Sequence, residues 1–325
     1  MVSSRSFGQL SDVGPKLLSD AGFEIWRVPP EERPLDEAKM VEIVAREAPT
    51  VIVTGAEPVS RLVMEASPNL AMIMKHGVGI DNIDIPAATE LGILVANAPG
   101  TNTEAVADMT IAMMLALLRR VYEAVQSTKS GGWERYVGHD LGALKVGIVG
   151  TGKIGLAVIK RLMAFGSEVL AYDIVHNPDL IEYADVRYVK LEELLRESDI
   201  VSLHVPLVAA TKSMIGSKEL AMMKSTAFLV NMARGELVDE EALLVHLKEN
   251  RIAGAAVDVY AVEPPRSSPL IGLDNVLSTP HIAAYTHESM ERMGRICAQT
   301  ILDGMQSIEC SNILNPEVMT QKDPS

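Results

Sequence analysis

Short aliphatic runs alternate with amphipathic segments through the stretch from Lys145 to His281. Each run is bounded by polar or turn residues, and each strand, helix and strand unit takes about thirty residues, which is typical of parallel strands buried on both faces. The predicted strands are 146–149, 169–172, 200–203, 227–230, 255–257 and 276–278. This rhythm predicts a doubly wound α/β sheet.

A glycine motif, Gly150-Thr-Gly-Lys-Ile-Gly155, follows the first of these strands and opens a helix. Its first glycine permits a tight turn, its second lets the backbone approach a pyrophosphate, and its third lets the helix pack on the strand. The helix N-terminus then faces the anion. The next strand ends at Asp173, where a carboxylate can accept hydrogen bonds from an adenosine ribose. Together the motif and the carboxylate predict a dinucleotide site.

A weaker α/β rhythm upstream predicts a second, smaller domain, with strands at 51–54, 71–74 and 93–95. A capping box, Thr101-Asn-Thr-Glu104, precedes a predicted helix over 102–120. This helix is apolar almost all round, so it has to be covered on more than one side, by a domain junction or by a second subunit. The predicted domains are 1–101 with 288–325, and 102–287.

The charge balance excludes several classes of partner. Lys and Arg number 29 and Asp and Glu 43, so the net charge is −14, which repels phosphate backbones and anionic lipid surfaces. No apolar run approaches the ~20 residues of a membrane span, and the N-terminus has no apolar signal region. The two cysteines, Cys297 and Cys310, lie in no pattern with metal-ligand spacing. We therefore expect no nucleic acid, membrane or metal as a partner, and a cytoplasmic protein.

Three side chains of different chemistry follow the last predicted strands: Arg234, Glu263 and His281. Taken singly, each could be a surface Arg, a solvated loop Glu or a structural His. Because the carboxyl ends of parallel strands form the edge at which doubly wound sheets bind ligands, we expect the three to lie together beside the dinucleotide. They are the candidate catalytic residues.

The sequence resembles the D-isomer-specific 2-hydroxyacid dehydrogenases over essentially its whole length. The resemblance rests on segments that occur in family order and at family spacing, namely 141–155, 204–207, 231–235, 258–264 and 279–282. A further segment, Gly77-Val-Gly-Ile-Asp-Asn-Ile-Asp84, is similar to the substrate-side loop of the 3-phosphoglycerate dehydrogenase and hydroxypyruvate reductase branch. The resemblance implies an α/β protein of two domains, a Rossmann domain that binds NAD and a smaller, flavodoxin-like substrate-binding lid domain.

The reaction implied by the resemblance is hydride transfer between C4 of nicotinamide and C2 of a small anionic D-2-hydroxy acid or 2-oxo acid. Arg234 suits the substrate carboxylate, because its planar fork offers two parallel charged hydrogen bonds, and it can also polarise the C2 oxygen. His281 suits the proton step, since an imidazole has both protonation forms available near neutrality. Glu263 would hold the imidazole and favour its cationic form.

The resemblance also places residues around the cofactor and the substrate. The candidate cofactor-binding residues are Gly150, Gly152, Lys153, Ile154, Asp173, His204, Pro206, Thr211, Ala233 and Asp258. The candidate substrate-binding residues are Lys75, His76, Gly77, Val78 and Gly79, together with Arg234. Glycines in this loop would let an anion approach the backbone. Lys75 either binds a second anionic group of the substrate, such as a phosphate or sulfonate, or only shapes the loop.

Several alternatives stay open at this point. The substrate could be 3-phosphoglycerate-like, hydroxypyruvate-like or sulfolactate-like, or the protein could be a glyoxylate and hydroxypyruvate reductase of broad specificity. A non-enzymatic NAD-sensing scaffold or corepressor on the same fold is the alternative from another class. We expect NAD rather than NADP, because Asp173 would face a 2′-phosphate as like charge against like charge. We expect a homodimer, because of the apolar helix over 102–120 and because the family pairs through this region.

Overall fold

The computed structural model describes residues 1–180, 183, 185–306, 308 and 310–321. The chain divides into two compact units, Met1–Asn102 with Tyr285–Ser325, and Thr103–Ala284. The sequence predicted a division at 101/102 and at 287/288, and the last four residues of the predicted smaller domain lie outside the described residues.

The smaller unit is built on a parallel sheet. Its strands are β1 (Val51–Thr54), β2 (Met72–Lys75) and β3 (Leu94–Ala96), and they are hydrogen-bonded in the order β1-β2-β3 among the described residues. The helices before the larger unit are α1 (Val13–Asp20), α2 (Glu37–Glu47), α3 (Arg61–Glu65) and α4 (Ile85–Glu90). Every residue of the three strands is buried, as expected of parallel strands covered on both faces.

The larger unit carries a parallel sheet of seven strands within its described residues. Its elements are α5 (Thr103–Leu118), α6 (Val121–Lys129), β4 (Lys145–Val149), α7 (Lys153–Phe165), β5 (Glu168–Tyr172), β6 (Val186–Tyr188), α8 (Leu191–Glu197), β7 (Ile200–Leu203), α9 (Ser217–Leu220), β8 (Phe228–Asn231), α10 (Glu240–Lys248), β9 (Gly254–Val257) and β10 (Val276–Ser278). The spatial order is β10-β9-β8-β7-β4-β5-β6. From β4 the chain first adds β5 and β6 on one side and then β7 to β10 on the other side. Doubly wound folds bind their ligands at such a switch point, which here lies between β4 and β7.

The two faces of this sheet are covered by different helices. Alternate residues of β4 point to opposite faces, so that Ile148 packs with α5 and α7, whereas Val149 packs with residues of α8, α9 and α10. Each face is a continuous apolar cluster, which is why the predicted strands have almost no polar residue. The predicted doubly wound α/β architecture is confirmed.

Two details of the larger unit differ from the sequence prediction or extend it. Strand β6 was not predicted, because this edge strand is only partly buried and its Val-Arg-Tyr sequence has no aliphatic run. The predicted apolar helix over 102–120 is α5, and most of its apolar residues are buried or packed against the cluster that includes α7, so this unit itself covers much of the helix.

The chain after the larger unit returns to the smaller one. Helix α11 (His287–Met305) is capped by Thr286, whose side-chain oxygen accepts a hydrogen bond from the Ser289 N–H, and α12 (Glu317–Gln321) follows near the end of the chain. Between them the buried side chain of Asn315 binds the sheet: its Oδ1 accepts from the Val95 N–H at 2.8 Å, and its Nδ2 donates to the Ile93 carbonyl at 2.9 Å. Asn315 therefore fixes the returning chain to β3.

We expect Asn315→Ala to lower the free energy of unfolding by about 1–3 kcal/mol, because it leaves the buried Val95 N–H and Ile93 carbonyl without their side-chain partner. Urea denaturation followed by circular dichroism measures this loss. The matched control is Asn69→Ala, since Asn69 is exposed in the same unit and its replacement should stay within about 0.5 kcal/mol of wild type. Equal midpoints for the two variants would contradict the assignment.

Candidate active site

The glycine loop lies between β4 and α7. Gly150 has φ +98°, and a Cβ on it would lie 2.7 Å from the carbonyl group of His204, so the turn admits no side chain there. A Cβ on Gly152 would meet open space, and Gly152 is also the residue that caps the N-terminus of α7. The loop thus leaves room for an anion at a helix N-terminus, and Lys153 and Ile154 form the first turn of that helix. These residues fit the pyrophosphate of a dinucleotide.

Asp173 follows β5 and is bound to the glycine loop. Its Oδ2 accepts hydrogen bonds from the Thr151 N–H at 2.7 Å and from the Thr151 hydroxyl at 3.1 Å, and its Oδ1 accepts from the Val175 N–H at 3.3 Å. The carboxylate predicted to receive the adenosine ribose is therefore held beside the loop predicted to receive the pyrophosphate. Ile174 and Val175, the next two residues, are strongly exposed.

The remaining predicted cofactor residues follow β7 and β8. His204 forms a hydrogen bond between Nε2 and Ser202 Oγ at 2.9 Å, and burial lowers the pKa of His204 to about 4, so the ring is neutral at neutral pH. The Thr211 hydroxyl donates to the Pro206 carbonyl at 2.7 Å, which closes the turn after β7. The Ala233 N–H donates to Asn231 Oδ1 at 3.1 Å and fixes the turn after β8.

Glu263 and His281 form a direct pair. Glu263 Oε2 lies 2.8 Å from His281 Nδ1, and the side chains keep 33% and 43% of their surface exposed, so solvent and small molecules can reach the pair. His281 has φ +55°, in the left-handed region that residues with a Cβ seldom adopt. The predicted neighbours on the sheet edge thus meet, and the imidazole is oriented through its Nδ1.

Burial acts to raise the pKa of the Glu263 carboxyl, but other interactions outweigh it. The hydrogen bond and the charge of His281 act in the opposite direction, as do the hydrogen bond from the Tyr260 N–H at 3.2 Å and the charge of Arg234. The pKa of Glu263 consequently lies below its ordinary value, and the carboxyl is ionised at neutral pH. An ionised carboxylate only accepts hydrogen bonds, so His281 Nδ1 is the donor in the pair.

Asp258 holds the loop that bears His281. It follows β9 and is fully buried, its Oδ1 accepts from the Thr279 hydroxyl at 2.6 Å and the Ile282 N–H at 2.8 Å, and its Oδ2 accepts from the Ala283 N–H at 2.8 Å. The His281 N–H donates to the Asp258 main-chain carbonyl at 2.9 Å. These bonds come from four of the five residues between 279 and 283, so Asp258 fixes the backbone on both sides of His281.

Arg234 begins the short turn after β8. Asn231 Nδ2 donates to the Arg234 carbonyl at 2.7 Å, and one guanidinium nitrogen of Arg234 donates to the Ala233 carbonyl at 2.7 Å. Next along the chain, a Cβ on Gly235 would lie 1.9 Å from the main-chain carbon of Tyr260, so this turn packs directly on the loop that leads to Glu263. The structure brings Arg234, Glu263 and His281 to one edge of the sheet.

The predicted substrate loop belongs to the smaller unit. Lys75 is buried, and its Nζ donates to Asn82 Oδ1 at 2.6 Å and to the Gly55 carbonyl at 2.5 Å. His76 shares a hydrogen bond with Ser6 Oγ at 2.8 Å, and burial lowers the pKa of His76 to about 4, with a smaller effect of the Lys75 charge in the same direction. The imidazole is therefore neutral at neutral pH, which the sequence did not indicate.

The rest of this loop is held by its carbonyl groups. The Ala98 N–H donates to the Gly77 carbonyl at 2.9 Å, and Asn97 Nδ2 donates to the Val78 carbonyl at 2.7 Å. Gly79 follows, and the N–H groups of 77, 78 and 79 form no hydrogen bond with an acceptor in the described part of the chain. The loop thus presents successive backbone donors, an arrangement that suits an anion.

Sequence reasoning missed two features of the site. The first is the contact of the Asp258 carboxylate with the loop 279–283, since that residue was named only as a candidate cofactor-binding residue. The second is the contact of Tyr188 in β6 with Thr151 of the glycine loop, at 2.9 Å. Neither has a signal in the sequence, because both depend on which side chains the folded loops bring together.

The described residues contain no group of three or more His, Cys, Asp or Glu side chains that could hold a metal ion. Within the same described ranges, no helix is both long enough and apolar enough to cross a membrane.

Comparison with known proteins gives the same family as the resemblance found in the sequence. Residues 111–283 match the family described as D-isomer specific 2-hydroxyacid dehydrogenase, NAD binding domain. A glyoxylate reductase of Korarchaeum cryptofilum is 39% identical over 309 residues, which are 93% of this chain and 92% of that protein. A D-3-phosphoglycerate dehydrogenase of Methanocaldococcus jannaschii is 40% identical over 281 residues, which are 85% of this chain and 54% of that protein.

A solved structure agrees over the whole fold. The D-lactate dehydrogenase of Aquifex aeolicus, in complex with NAD and lactic acid, is 29% identical and has a TM-score of 0.84, with 97% of this chain and 99% of that chain covered. A nicotinamide-dependent oxidoreductase is therefore the class that the fold, the glycine loop and the comparisons define. The chain belongs to the D-isomer-specific 2-hydroxyacid dehydrogenases, and the resemblance drawn from the sequence is confirmed. The protein is an NAD-dependent enzyme that acts on a small 2-hydroxy or 2-oxo acid.

Proposed function

We propose that this enzyme reduces small 2-oxo acids with a single anionic group, such as glyoxylate and hydroxypyruvate, with Arg234, Glu263 and His281 as its catalytic residues. The observation that carries the proposal is the 2.8 Å contact between Glu263 Oε2 and His281 Nδ1 at the sheet edge. When bound, the nicotinamide would supply the hydride to C2 in reduction and receive it from C2 in oxidation. The protein supplies binding, orientation and the proton.

The proton step follows from the orientation of the imidazole. Since His281 Nδ1 donates to the Glu263 carboxylate, Nε2 is the nitrogen that exchanges a proton with the C2 oxygen. In reduction, cationic His281 gives the Nε2 proton to the carbonyl oxygen as the hydride reaches C2. In oxidation, neutral His281 takes the hydroxyl proton. Arg234 holds the substrate carboxylate with two parallel hydrogen bonds and polarises the C2 oxygen.

We also propose that the dinucleotide is NAD in preference to NADP. Gly150, Gly152, Lys153 and Ile154 would receive the pyrophosphate, and the Asp173 carboxylate would receive the adenosine ribose and repel a 2′-phosphate. His204, Pro206, Thr211, Ala233 and Asp258 would form the remaining wall of the cofactor site. The bonds between Asp173 and Thr151 support this proposal, because they fix the carboxylate beside the glycine loop.

The contacts of the substrate loop support a small 2-oxo acid with a single anionic group as the substrate. The backbone N–H groups of Gly77, Val78 and Gly79 would bind the substrate, while Lys75 and His76 set the shape of the loop from beneath. Lys75 already donates to Gly55 and Asn82, and neutral His76 adds no positive charge. This loop would therefore stabilise a bound phosphate or sulfonate less than two cationic side chains directed at it would. A 3-phosphoglycerate-like or sulfolactate-like substrate is accordingly the second choice.

We further propose a homodimer that forms through α6 and the segment after it. Within the described residues α6 contains no buried position, and its Tyr122 is 57% exposed. Trp133 and Val137, in the segment that follows, are 79% and 92% exposed. Apolar surface of this kind favours a protein partner, and a second copy of the chain offers the same surface in return.

We propose the cytoplasm as the location of the enzyme. Cys297 is buried and Cys310 is partly exposed, and both are free thiols in the structure. Burial raises the pKa of the Cys297 thiol, so this residue is unreactive. Free thiols fit a reducing compartment.

The function is tested by NADH oxidation with glyoxylate, hydroxypyruvate, phosphohydroxypyruvate and sulfopyruvate. We expect the highest kcat/KM with glyoxylate or hydroxypyruvate, because Lys75 already donates to protein oxygen atoms. Arg234→Ala should lower both substrate affinity and kcat, and His281→Ala should lower kcat by about 10² to 10⁴, the contribution of a positioned proton donor. No turnover with any 2-oxo acid would instead favour the NAD-sensing scaffold.

Lys75→Met distinguishes the two roles of the lysine in the same assay. It should lower kcat/KM by a similar factor with all four acids, because it disturbs the shape of the loop. The ratio between substrates does not depend on how much of the variant is folded. A selective loss with phosphohydroxypyruvate or sulfopyruvate would show that Lys75 binds a second anionic group.

Glu263→Gln should shift the pH profile of reduction toward lower pH. Because the pKa of Glu263 is lowered, its carboxylate is charged at neutral pH and stabilises cationic His281. The neutral Gln side chain lacks this charge, so a smaller fraction of the enzyme carries cationic His281, the proton donor, as the pH rises. The rate lost at neutral pH should be at most about 10²- to 10⁴-fold and should recover as the pH is lowered. The control is Glu241→Gln, an exposed carboxylate in the first turn of α10, with an unchanged profile expected. Equal profiles for wild type and Glu263→Gln would refute the assigned role.

The double substitution Trp133→Ala and Val137→Asp should convert the dimer into a monomer of 35.1 kDa, because it removes exposed apolar surface and adds a charge. Sedimentation velocity at micromolar concentration measures the change. Leu62→Asp is the control, since Leu62 is 58% exposed but lies on α3 of the smaller unit. A wild-type protein that sediments as a monomer would exclude the proposed dimer.

A further inference from the structure

A chain of hydrogen bonds leads from the β5–β6 connection to the Asp173 carboxylate. The Asn177 N–H donates to the Tyr188 hydroxyl oxygen at 2.8 Å, and Tyr188 in turn donates to Thr151 Oγ1 at 2.9 Å. The Thr151 hydroxyl then donates to Asp173 Oδ2 at 3.1 Å. The direction is fixed at both ends, because a backbone N–H can only donate and a carboxylate can only accept. Chains of this kind polarise each member, so the last bond is strengthened by the first two.

Further contacts hold the chain in place. Asn177 Nδ2 donates to the Thr151 carbonyl at 2.7 Å, and the Thr151 N–H donates to Asp173 Oδ2 at 2.7 Å. The His176 ring stacks on the Tyr188 ring, with centroids 3.9 Å apart and an angle of 14° between the planes. Tyr188 is the last residue of β6, the strand that pairs with β5. The tyrosine therefore reaches the glycine loop from a strand that is itself fixed in the sheet.

The two oxygens of Asp173 are used differently. Oδ2 accepts both Thr151 donors, whereas Oδ1 accepts, among the described residues, the 3.3 Å bond from the Val175 N–H. Since each carboxylate oxygen has two lone-pair positions, Oδ1 retains the capacity to accept from a ribose hydroxyl. A carboxylate without these bonds could rotate away from a 2′-phosphate and relieve the repulsion. One held through Oδ2 cannot.

We propose that Tyr188 is a positioning residue for cofactor choice: through Thr151 it holds the Asp173 carboxylate so that it accepts the ribose of NAD and rejects the 2′-phosphate of NADP. The inference rests on the proposal that Asp173 receives the adenosine ribose. Tyr188 acts through another residue and need not touch the cofactor. The phenol hydroxyl is the essential group, because it both accepts from Asn177 and donates to Thr151.

Tyr188→Phe removes that hydroxyl and keeps the ring that stacks on His176. Isothermal titration calorimetry with ADP-ribose and with 2′-phospho-ADP-ribose measures binding at the adenosine end, without turnover. We expect the preference for the unphosphorylated ligand to fall about three- to tenfold, the effect of one lost hydrogen bond. The ratio of kcat/KM for NADH and NADPH should fall in parallel, with kcat for NADH nearly unchanged. A merely structural role would weaken both ligands equally.

Thr151→Val interrupts the same chain and keeps the Thr151 N–H. If Tyr188 acts through Thr151, the variant that combines Tyr188→Phe with Thr151→Val should prefer the unphosphorylated ligand at least as strongly as Thr151→Val alone, because interactions in one network are not additive. The matched control is Tyr183→Phe, a tyrosine of the same β5–β6 connection that packs on the apolar cluster, for which the preference should not change. Additive losses, or an equal loss in Tyr183→Phe, would overturn the proposal.

Asp173→Ala separates this inference from the one on which it rests. If Asp173→Ala leaves the preference unchanged, the assignment of Asp173 to the ribose fails, and the role of Tyr188 fails with it. If Asp173→Ala abolishes the preference while Tyr188→Phe, folded by circular dichroism, retains it in full, only the role of Tyr188 is wrong. Loss of preference in both, larger in Asp173→Ala, is the result that supports the proposal.

Discussion

The buried carboxylate of Asp258 is the constraint on which the part of the site around His281 depends. A carboxylate without solvent has to be compensated, and among the described residues its three donors come from residues 279–283. The chain therefore turns back over the end of β9 as it leaves β10, and His281 takes a backbone conformation with φ +55°. Such a conformation persists only when its surroundings determine it, and Asp258 supplies those surroundings. The imidazole can then meet Glu263 at a defined nitrogen.

Much of the sheet and the meeting of Arg234, Glu263 and His281 could be predicted from the sequence, because both follow from the periodicity of buried parallel strands. Each strand of the larger sheet ends at the same edge, so a residue shortly after a strand is placed without any knowledge of its contacts. Strand β6 could not be found in this way, since an edge strand needs no aliphatic run. The contacts of Asp258 and Tyr188 escaped for another reason: position along a strand does not determine which donor a side chain meets.

The smaller unit shows how burial changes the meaning of a residue type. Lys75 and His76 are both basic residue types, and from the sequence Lys75 either binds a second anionic group of the substrate or only shapes the loop. In the structure the desolvated imidazole is neutral, and the ammonium is engaged by the oxygens of Gly55 and Asn82. The burial of a side chain depends on residues that are distant in sequence, as the contact of Ser6 with His76 shows. The charge available to a ligand therefore could not be predicted from the sequence of the loop alone.

Local hydrogen bonding to carboxylates explains how a chain of net charge −14 can present a site for anions. Several carboxylates at the sheet edge are bound by backbone N–H groups: Asp173 by Thr151, Asp258 by Ile282 and Ala283, and Glu240 by Ala261 at 2.7 Å. These donors offset negative charge close to where it lies, and they fix the loops at the same time. Repulsion therefore remains where a carboxylate oxygen keeps a lone-pair position that no protein donor occupies. On the proposed assignment, Oδ1 of Asp173 keeps such a position and would distinguish a ribose hydroxyl from a phosphate, so that the acidic composition contributes to selectivity rather than opposing binding.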